Sequence, residues 1–351
     1  MSRPLTRRAW ASLAAGMAGG ALGLGAAHAS APPAARPAEG ASRLEAAQAA
    51  TVGLTARAVE GAGSVTTLGR VREGSGVAIA APGGQVLVLT VGYLVLEADQ
   101  VELVTRDLRQ VPGQVVAQDF VNGLALVRPL VPLPGVRPVA LGAAGQLAKG
   151  EPLLYVSGAT PRQAGAVRLM DRRSFTGYWE YHLESALYTA PLVPQHSGAA
   201  LFNVQGELVG IGHLAMRDVL PDDDPQQVPG NMFVPVDVLR AVIEPLVRDG
   251  RHPQARRPWL GITSVEMQGQ VRITRVTPDS PAQAAGVRVG HWVVAVEGQP
   301  VTSLEALYKR VWTRPLESGP LRLTVREGST ERELQVPLRE RGEVVARPRS
   351  I

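Results

Sequence analysis

The sequence predicts a mostly β chain built in two modules. Three observations carry this expectation. Residues 61 to about 235 form short β-branched runs bounded by Gly and Pro, with turns roughly every ten residues, the spacing of an all-β barrel or sandwich. Residues 259–338 interleave strand-like alternation with two short helical patterns, a smaller α+β unit. A basic, Pro-containing stretch at 251–258 separates the two. The length of 351 residues suits two domains plus extensions. Apolar residues make up 45% of the chain and aromatics 4%, so the cores must rest on Val, Leu, Ala and Ile.

The N-terminus reads as a targeting segment. Arg7-Arg8 precede an Ala/Gly/Leu-rich run at 9–27, and Ala27-His28-Ala29 fits a small-x-small cleavage site, which makes 1–29 a signal peptide. Thr6-Arg7-Arg8 with Trp10 resembles a twin-arginine signal. The competing reading is a retained membrane anchor, but the run is short for a span and thinned by Gly. Residues 30–53 read as a flexible Ala/Pro linker. The formal net charge of +5 falls to +2 once Arg3, Arg7 and Arg8 leave with the signal, too little to argue for nucleic acid. Nothing after residue 29 is long and apolar enough to cross a bilayer, so no stable membrane span is expected after signal cleavage. The chain has no cysteine, which excludes cysteine nucleophiles and Cys-zinc sites.

Along the first module, Gly76-Val77-Ala78-Ile79-Ala80, Gln85-Val86-Leu87-Val88-Leu89, Val101-Glu102-Leu103-Val104, Gln114-Val115-Val116 and Leu124-Ala125-Leu126-Val127 read as strands. From Pro235 the pattern turns helical, with Val238, Leu239, Val242, Ile243, Leu246 and Val247 spaced by threes and fours up to Gly250. In the second module, residues 271–276 and 291–296 alternate as strands, and Ser280 to Gly286 is a short helix stopped by glycine. Ser303 opens a helix carrying Leu304, Leu307 and Val311, and residues 321–325 form a further strand. The tail at 341–351 is read as solvated, locally basic chain.

The second module resembles a bacterial-type PDZ domain through Trp259-Leu260-Gly261-Ile262, Asp279-Ser280-Pro281-Ala282, Ala285-Gly286-Val287-Arg288-Val289-Gly290 and Gly298-Gln299-Pro300-Val301. His291 stands where that family usually has Asp and is read as a surface change. In the first module, Pro194-Gln195-His196-Ser197-Gly198-Ala199-Ala200-Leu201-Phe202-Asn203 followed by Gly206-Glu207-Leu208-Val209-Gly210-Ile211 resembles the nucleophile segment of trypsin-like proteases of the HtrA/Deg family. The resemblance covers residues from about 60 to 340, in family order. It implies a chymotrypsin-like two-barrel domain at 54–250, a linker at 251–258 and a smaller α+β PDZ domain at 259–340.

The same resemblance locates the catalytic positions. Ser197 keeps the nucleophile position. The histidine motif begins at Leu89-Thr90 and ends at Glu97-Ala98-Asp99, which puts Tyr93 at the histidine position. A phenol with a pKa of about 10 cannot accept the serine proton at neutral pH. In Asp119-Phe120-Val121-Asn122-Gly123-Leu124-Ala125-Leu126-Val127, the first acid remains but the aspartate position is Gly123, which cannot orient a base. Gln195 replaces the glycine whose N–H forms half of the oxyanion hole. Loss of one triad member costs on the order of 10⁴–10⁶ in turnover, and this chain lacks two. His182, His196 and His213 are the candidate substitute bases. His196 adjoins Ser197, and adjacent side chains of an extended loop point apart.

The expectation is an exported HtrA-like pseudoprotease that binds peptides or proteins through its PDZ domain, in envelope protein quality control. The alternative is an active endopeptidase using Ser197 with a non-standard base. By resemblance, Trp259-Leu260-Gly261-Ile262 would receive a partner's terminal carboxylate while the partner adds as a β-strand. Leu304, Leu307 and Val311 would line the pocket or fill the core. The expected partners are protein C-termini or unfolded peptides, with an active homologous protease as a further candidate. No cofactor and no metal is expected. The acidic run Pro221-Asp222-Asp223-Asp224-Pro225 lacks the alternating ligands of a calcium loop.

Overall fold

The computed structural model describes residues 37–345 except 222, so the signal expected at 1–29 lies outside the described residues, as does the tail from 346. The first module is two closed six-stranded antiparallel barrels, in agreement with the two-barrel expectation. Barrel one comprises β1 (Thr51–Ala58), β2 (Val71–Ala80), β3 (Val86–Val91), β4 (Ala98–Val104), β5 (Gln110–Asp119) and β6 (Leu124–Pro129), in the order β1-β2-β3-β6-β5-β4. Barrel two comprises β7 (Pro152–Ser157), β8 (Gln163–Gly177), β9 (Tyr181–Ala190), β10 (Ala200–Phe202), β11 (Leu208–Met216) and β12 (Gly230–Pro235), in the order β10-β11-β12-β9-β8-β7.

Alternation drives both closures. Val52, Leu54 and Ala56 of β1 share one face with Ala78, Val88, Leu103 and Val127, all buried. The largest fully buried side chains of barrel two include Tyr188, Phe202 and Phe233. Closure pairs every strand on both sides and leaves no ladder edge.

Three segments depart from the sequence reading. Of the linker expected over 30–53, the described residues form helix α1 (Pro37–Ala50) running into β1. Alanine is the best helix former, and here Ala47 and Ala50 are buried against the barrels. Arg43 Nη1 donates to the Val204 carbonyl at 2.8 Å and Thr51 Oγ1 to the Ala47 carbonyl at 2.8 Å, pinning both ends. The helical stretch after Pro235 divides into α2 (Asp237–Arg240) and α3 (Ile243–Asp249), with Gly250 as a left-handed C-cap. The expected solvated tail begins with a helical turn, Arg341–Val344, whose Arg341 guanidinium lies over the Phe120 ring at 5.3 Å.

The second module starts with β13 (Pro258–Trp259). It continues through β14 (Ile262–Met267), β15 (Gln270–Val276), helix α4 (Pro281–Ala284), β16 (Trp292–Val296) and β17 (Gln299–Pro300). Helix α5 (Leu304–Trp312), β18 (Leu321–Glu327), β19 (Thr330–Val336) and β20 (Arg339–Glu340) complete it. The main sheet runs β14-β15-β16-β18-β19, with β14 at one edge. Ser303 caps α5 by accepting from Ala306 N at 3.0 Å, and Ser280 caps α4 by accepting from Gln283 N at 3.2 Å. Leu304, Leu307, Tyr308 and Val311 recur at helical spacing and are buried in the core with Leu260 and Ile262. His291 is not the surface residue expected of it. It is 4% exposed, and its Nδ1 accepts from Arg288 N at 3.2 Å, closing the turn before β16.

Candidate functional site

Two loops bring Ser197 and Tyr93 together between the barrels. Ser197 lies on the β9–β10 loop, whose shape follows from Gly198 N donating to Gly212 O at 2.9 Å and Ala199 N to His196 O at 2.9 Å. Gly198 sits at φ +70 with no room for a Cβ, since one would meet the Ser75 carbonyl. Tyr93 is on a 3₁₀ turn after β3, held by Arg72 Nη1 donating to the carbonyls of Tyr93 at 3.0 Å and Leu96 at 2.6 Å. Gly123 lies in the β5–β6 turn, shaped by Asp119 Oδ1 accepting from Val121 N at 2.9 Å and Asn122 N at 3.0 Å. Gly92 N donates to Gly123 O at 2.7 Å and joins the two turns.

Tyr93 Oη lies 2.7 Å from Ser197 Oγ and 3.0 Å from the His213 carbonyl oxygen. A phenol has one proton and a carbonyl only accepts, so satisfying both contacts has Tyr93 donating to His213 O and Ser197 donating to Tyr93. Burial pushes the phenol up to about 12, opposed by the bond with Ser197. It is therefore neutral at physiological pH and holds the serine proton in place instead of removing it.

The room beside Gly123 is filled. A Cβ built there would meet Tyr181 Oη at 3.0 Å and His213 Nε2 at 3.2 Å, and Gly123 is at φ +76. Tyr181 Oη donates to the Asn122 carbonyl at 2.7 Å. The His213 ring stacks on Tyr181 at 5.2 Å and on Trp179 at 6.0 Å, and meets Tyr93 edge-on at 5.4 Å. Its Nδ1 is buried without a hydrogen-bond partner, and burial, aided by His196, lowers its pKa to about 3. A cavity of about 50 Å³ remains, walled in part by Gly92, Tyr93, Gly123, Trp179, Tyr181 and His213.

The other candidate residues lie apart from Ser197's proton. His196 Nδ1 faces the Pro194 carbonyl at 3.1 Å, and burial lowers its pKa. Gln195 stays outside the left-handed region, and its Oε1 is buried without a partner. His182, on β9, is 7% exposed, with Nδ1 2.8 Å from Thr176 Oγ1. Its Nε2 approaches Glu184 Oε2 at 3.5 Å and Glu305 Oε1 at 3.9 Å, a grouping of metal-ligand type. Lys309 Nζ sits 2.8 Å from both carboxylates and already supplies the positive charge there.

The loop at Trp259-Leu260-Gly261-Ile262 carries three converging N–H groups. Leu260 N donates to Glu180 Oε2 at 2.9 Å, and Gly261 N and Ile262 N donate to Oε1 at 2.7 and 3.0 Å. Gly261, at φ +82 and packed on Ser280, makes this convergence possible. Glu180 comes from the first module, in the turn between β8 and β9, and is 4% exposed. Burial raises its carboxyl pKa, while the three N–H bonds and the Arg341 charge oppose that. Sequence reasoning missed Glu180. The signal was Tyr178-Trp179-Glu180-Tyr181, three aromatics in four residues of a chain with 4% aromatics.

Comparison with known proteins follows the same outline. The Trypsin-like peptidase domain family model matches residues 74–211, and the PDZ domain family model matches residues 272–311. The chain is 27% identical over 289 residues to serine endoprotease DegS of Escherichia coli K12, covering 76% of each chain. It is 27% identical over 251 residues to the putative serine protease HhoA of Synechocystis sp., covering 66% of this chain and 61% of that protein. It is 29% identical over 275 residues to putative protease Do-like 14 of Arabidopsis thaliana, covering 69% and 59%. The chain thus spans about 60% of the length of the last two relatives. Among solved structures, HtrA-type protease AlgW with decapeptide superposes with a TM-score of 0.51 at 18% identity, over 86% of this chain and 98% of that one. The serine endoprotease from Yersinia pestis gives 0.50 at 21%, over 86% and 97%. Barrel topology, module order and the two family-model matches agree on a trypsin-like peptidase domain followed by a PDZ domain, and the chain is similar to HtrA- and Deg-type proteases.

Proposed function

We propose that this chain is an exported HtrA-like pseudoprotease that works as a peptide- or protein-binding module through its PDZ domain, in envelope protein quality control. One observation carries the proposal. The Ser197 hydroxyl has as its partner a neutral phenol, Tyr93 at 2.7 Å, which has no capacity to take its proton. The filled space at Gly123 supports the same reading, because Tyr181 and His213 occupy the room an aspartate would need. His213 is too weak a base, with its pKa lowered to about 3, and His196 is turned to the Pro194 carbonyl. Binding survives such losses, because a PDZ domain recognises peptide with backbone N–H groups. The envelope setting rests on the export-like segment at 1–29 and on similarity to the periplasmic serine endoprotease DegP of Salmonella typhimurium.

Fluorophosphonate labelling of the folded, purified chain, with Ser197→Ala as control and mass mapping of the adduct, tests the proposal. The expected result is no adduct on Ser197. An adduct confined to Ser197 would establish an activated nucleophile and return the chain to the endopeptidases.

A further inference from the structure

We propose that the PDZ peptide groove is occupied in cis by the β8–β9 turn, with the Glu180 side chain standing in for a terminal carboxylate, so that C-terminal peptides bind only by displacing it. The proposal rests on the peptide-binding reading above. Its first support is the donor geometry. Three consecutive N–H groups, of Leu260, Gly261 and Ile262, converge on the two Glu180 oxygens at 2.7–3.0 Å. Both oxygens act only as acceptors, the pattern that suits an ionised carboxylate of either a side chain or a chain end.

A second support is strand addition. β14 is an edge strand of the PDZ sheet and would otherwise present unpaired backbone groups. Ser264 N of β14 donates to the Tyr178 carbonyl at 2.9 Å. Tyr178 precedes Glu180 by two residues, so one turn supplies both the backbone acceptor for β14 and the carboxylate for the loop. The turn therefore copies carboxylate capture and one backbone contact of β-augmentation. On the side facing helix α5, Lys309 Nζ bonds Glu184 of β9 at 2.8 Å, which holds the hairpin in the groove.

A third support is backbone strain at the occupant. Glu180 is a non-glycine residue at φ 58, a conformation that costs free energy and persists where surrounding contacts impose it. Here the left-handed turn aims the carboxylate into the loop. The neighbours Trp179 and Tyr181 stack on each other at 5.6 Å and on His213, so the same turn also fills the former triad space. The partner that fits is an extended peptide with a free C-terminal carboxylate. Because the cis occupant is tethered, it competes at an effective concentration on the order of millimolar.

The test uses the full chain, its Glu180→Ala variant and the near-isosteric Glu180→Gln, with folding checked by circular dichroism. Probes are fluorescein-labelled decapeptides ending in Val, Leu, Ile or Phe, each as free acid and as C-terminal amide, read by fluorescence polarisation. Hydrogen exchange at residues 260–264 is followed without peptide. The expected result is at least tenfold faster exchange at these amides in Glu180→Ala. Binding of free-acid peptides should be at least tenfold tighter than to the unmodified chain, with no gain for the amides, and Glu180→Gln should fall between. Equal free-acid binding by all three proteins with unchanged exchange would overturn the cis occupancy and leave the peptide-binding reading intact. Fast exchange in the variant with no free-acid peptide bound by any of the three would overturn peptide binding itself, and the competition with it.

Discussion

At Tyr93 a phenol decides the fate of a proton. An imidazole at that position would draw the Ser197 proton away. The phenol, pushed up to about 12, receives a hydrogen bond and leaves the serine protonated. Restoring the letters of the triad therefore does not restore the site. The double variant Tyr93→His/Gly123→Asp is expected to hydrolyse casein no faster than the parent, because a side chain at 123 runs into Tyr181 and His213. Turnover more than about tenfold above background would contradict this. His213 makes a separate prediction about pH. Its folded pKa is depressed to about 3 against an ordinary value near 6.5, so the unfolded chain binds the proton first. Its contribution is intact above about pH 6.5 and declines as pH falls toward 3, by up to about 1.4 kcal/mol per unit. Urea midpoints for the parent and His213→Phe, measured from pH 7.5 to 4, should converge as the pH is lowered. Flanking motifs in the sequence singled out Tyr93, Gly123 and Ser197. The packing of His213 beside Gly123 was not legible there, because residues 123 and 213 meet only when the two barrels pack.

Among the elements, helix α1 shows where compositional reading stops. An Ala/Pro-rich stretch next to an expected cleavage site has the look of a tether, yet Ala47 and Ala50 have the small size that lets a helix approach the barrels closely. Removing residues before Thr51 should lower the melting temperature by roughly 5 °C, since burial of a few small side chains and the Arg43–Val204 bond contribute about 2 kcal/mol. An unchanged melting curve would mean the helix is a bystander. The strands and α5 were legible because one face of each is apolar at the right period. The break between α2 and α3 was not, because Val242 continues the helical spacing across it while its backbone leaves the helical region, at φ −130 and ψ 3.

For the whole molecule, the decisive contacts cross between modules. Arg257 of the connecting segment lies over the Trp312 ring at 3.7 Å and donates to the Phe120 carbonyl at 3.3 Å, and burial lowers its pKa to about 10. Arg275 Nη2 donates to Thr66 Oγ1 at 3.0 Å, a second tie at the rim. With Glu180 in the PDZ loop, the segment at 251–257 is held on both sides and is no free hinge. The combined variant Glu180→Ala/Arg257→Ala should be cut by trypsin within 251–256 at least about tenfold faster than the parent, as a local opening eased by more than about 1.4 kcal/mol requires. Equal cutting rates would show that other contacts hold the modules.

The sequence by itself determined the module order, the strand faces and the chemical identity of Tyr93, Gly123 and Ser197. Those properties depend on residue type and short-range period. Only the tertiary structure decided that Ser197 pairs with Tyr93, that His213 and Tyr181 fill the space beside Gly123, and that Glu180 reaches the PDZ loop. Each of these joins residues about 60 or more positions apart, and a strand pattern carries no information about which distant turn will meet which loop.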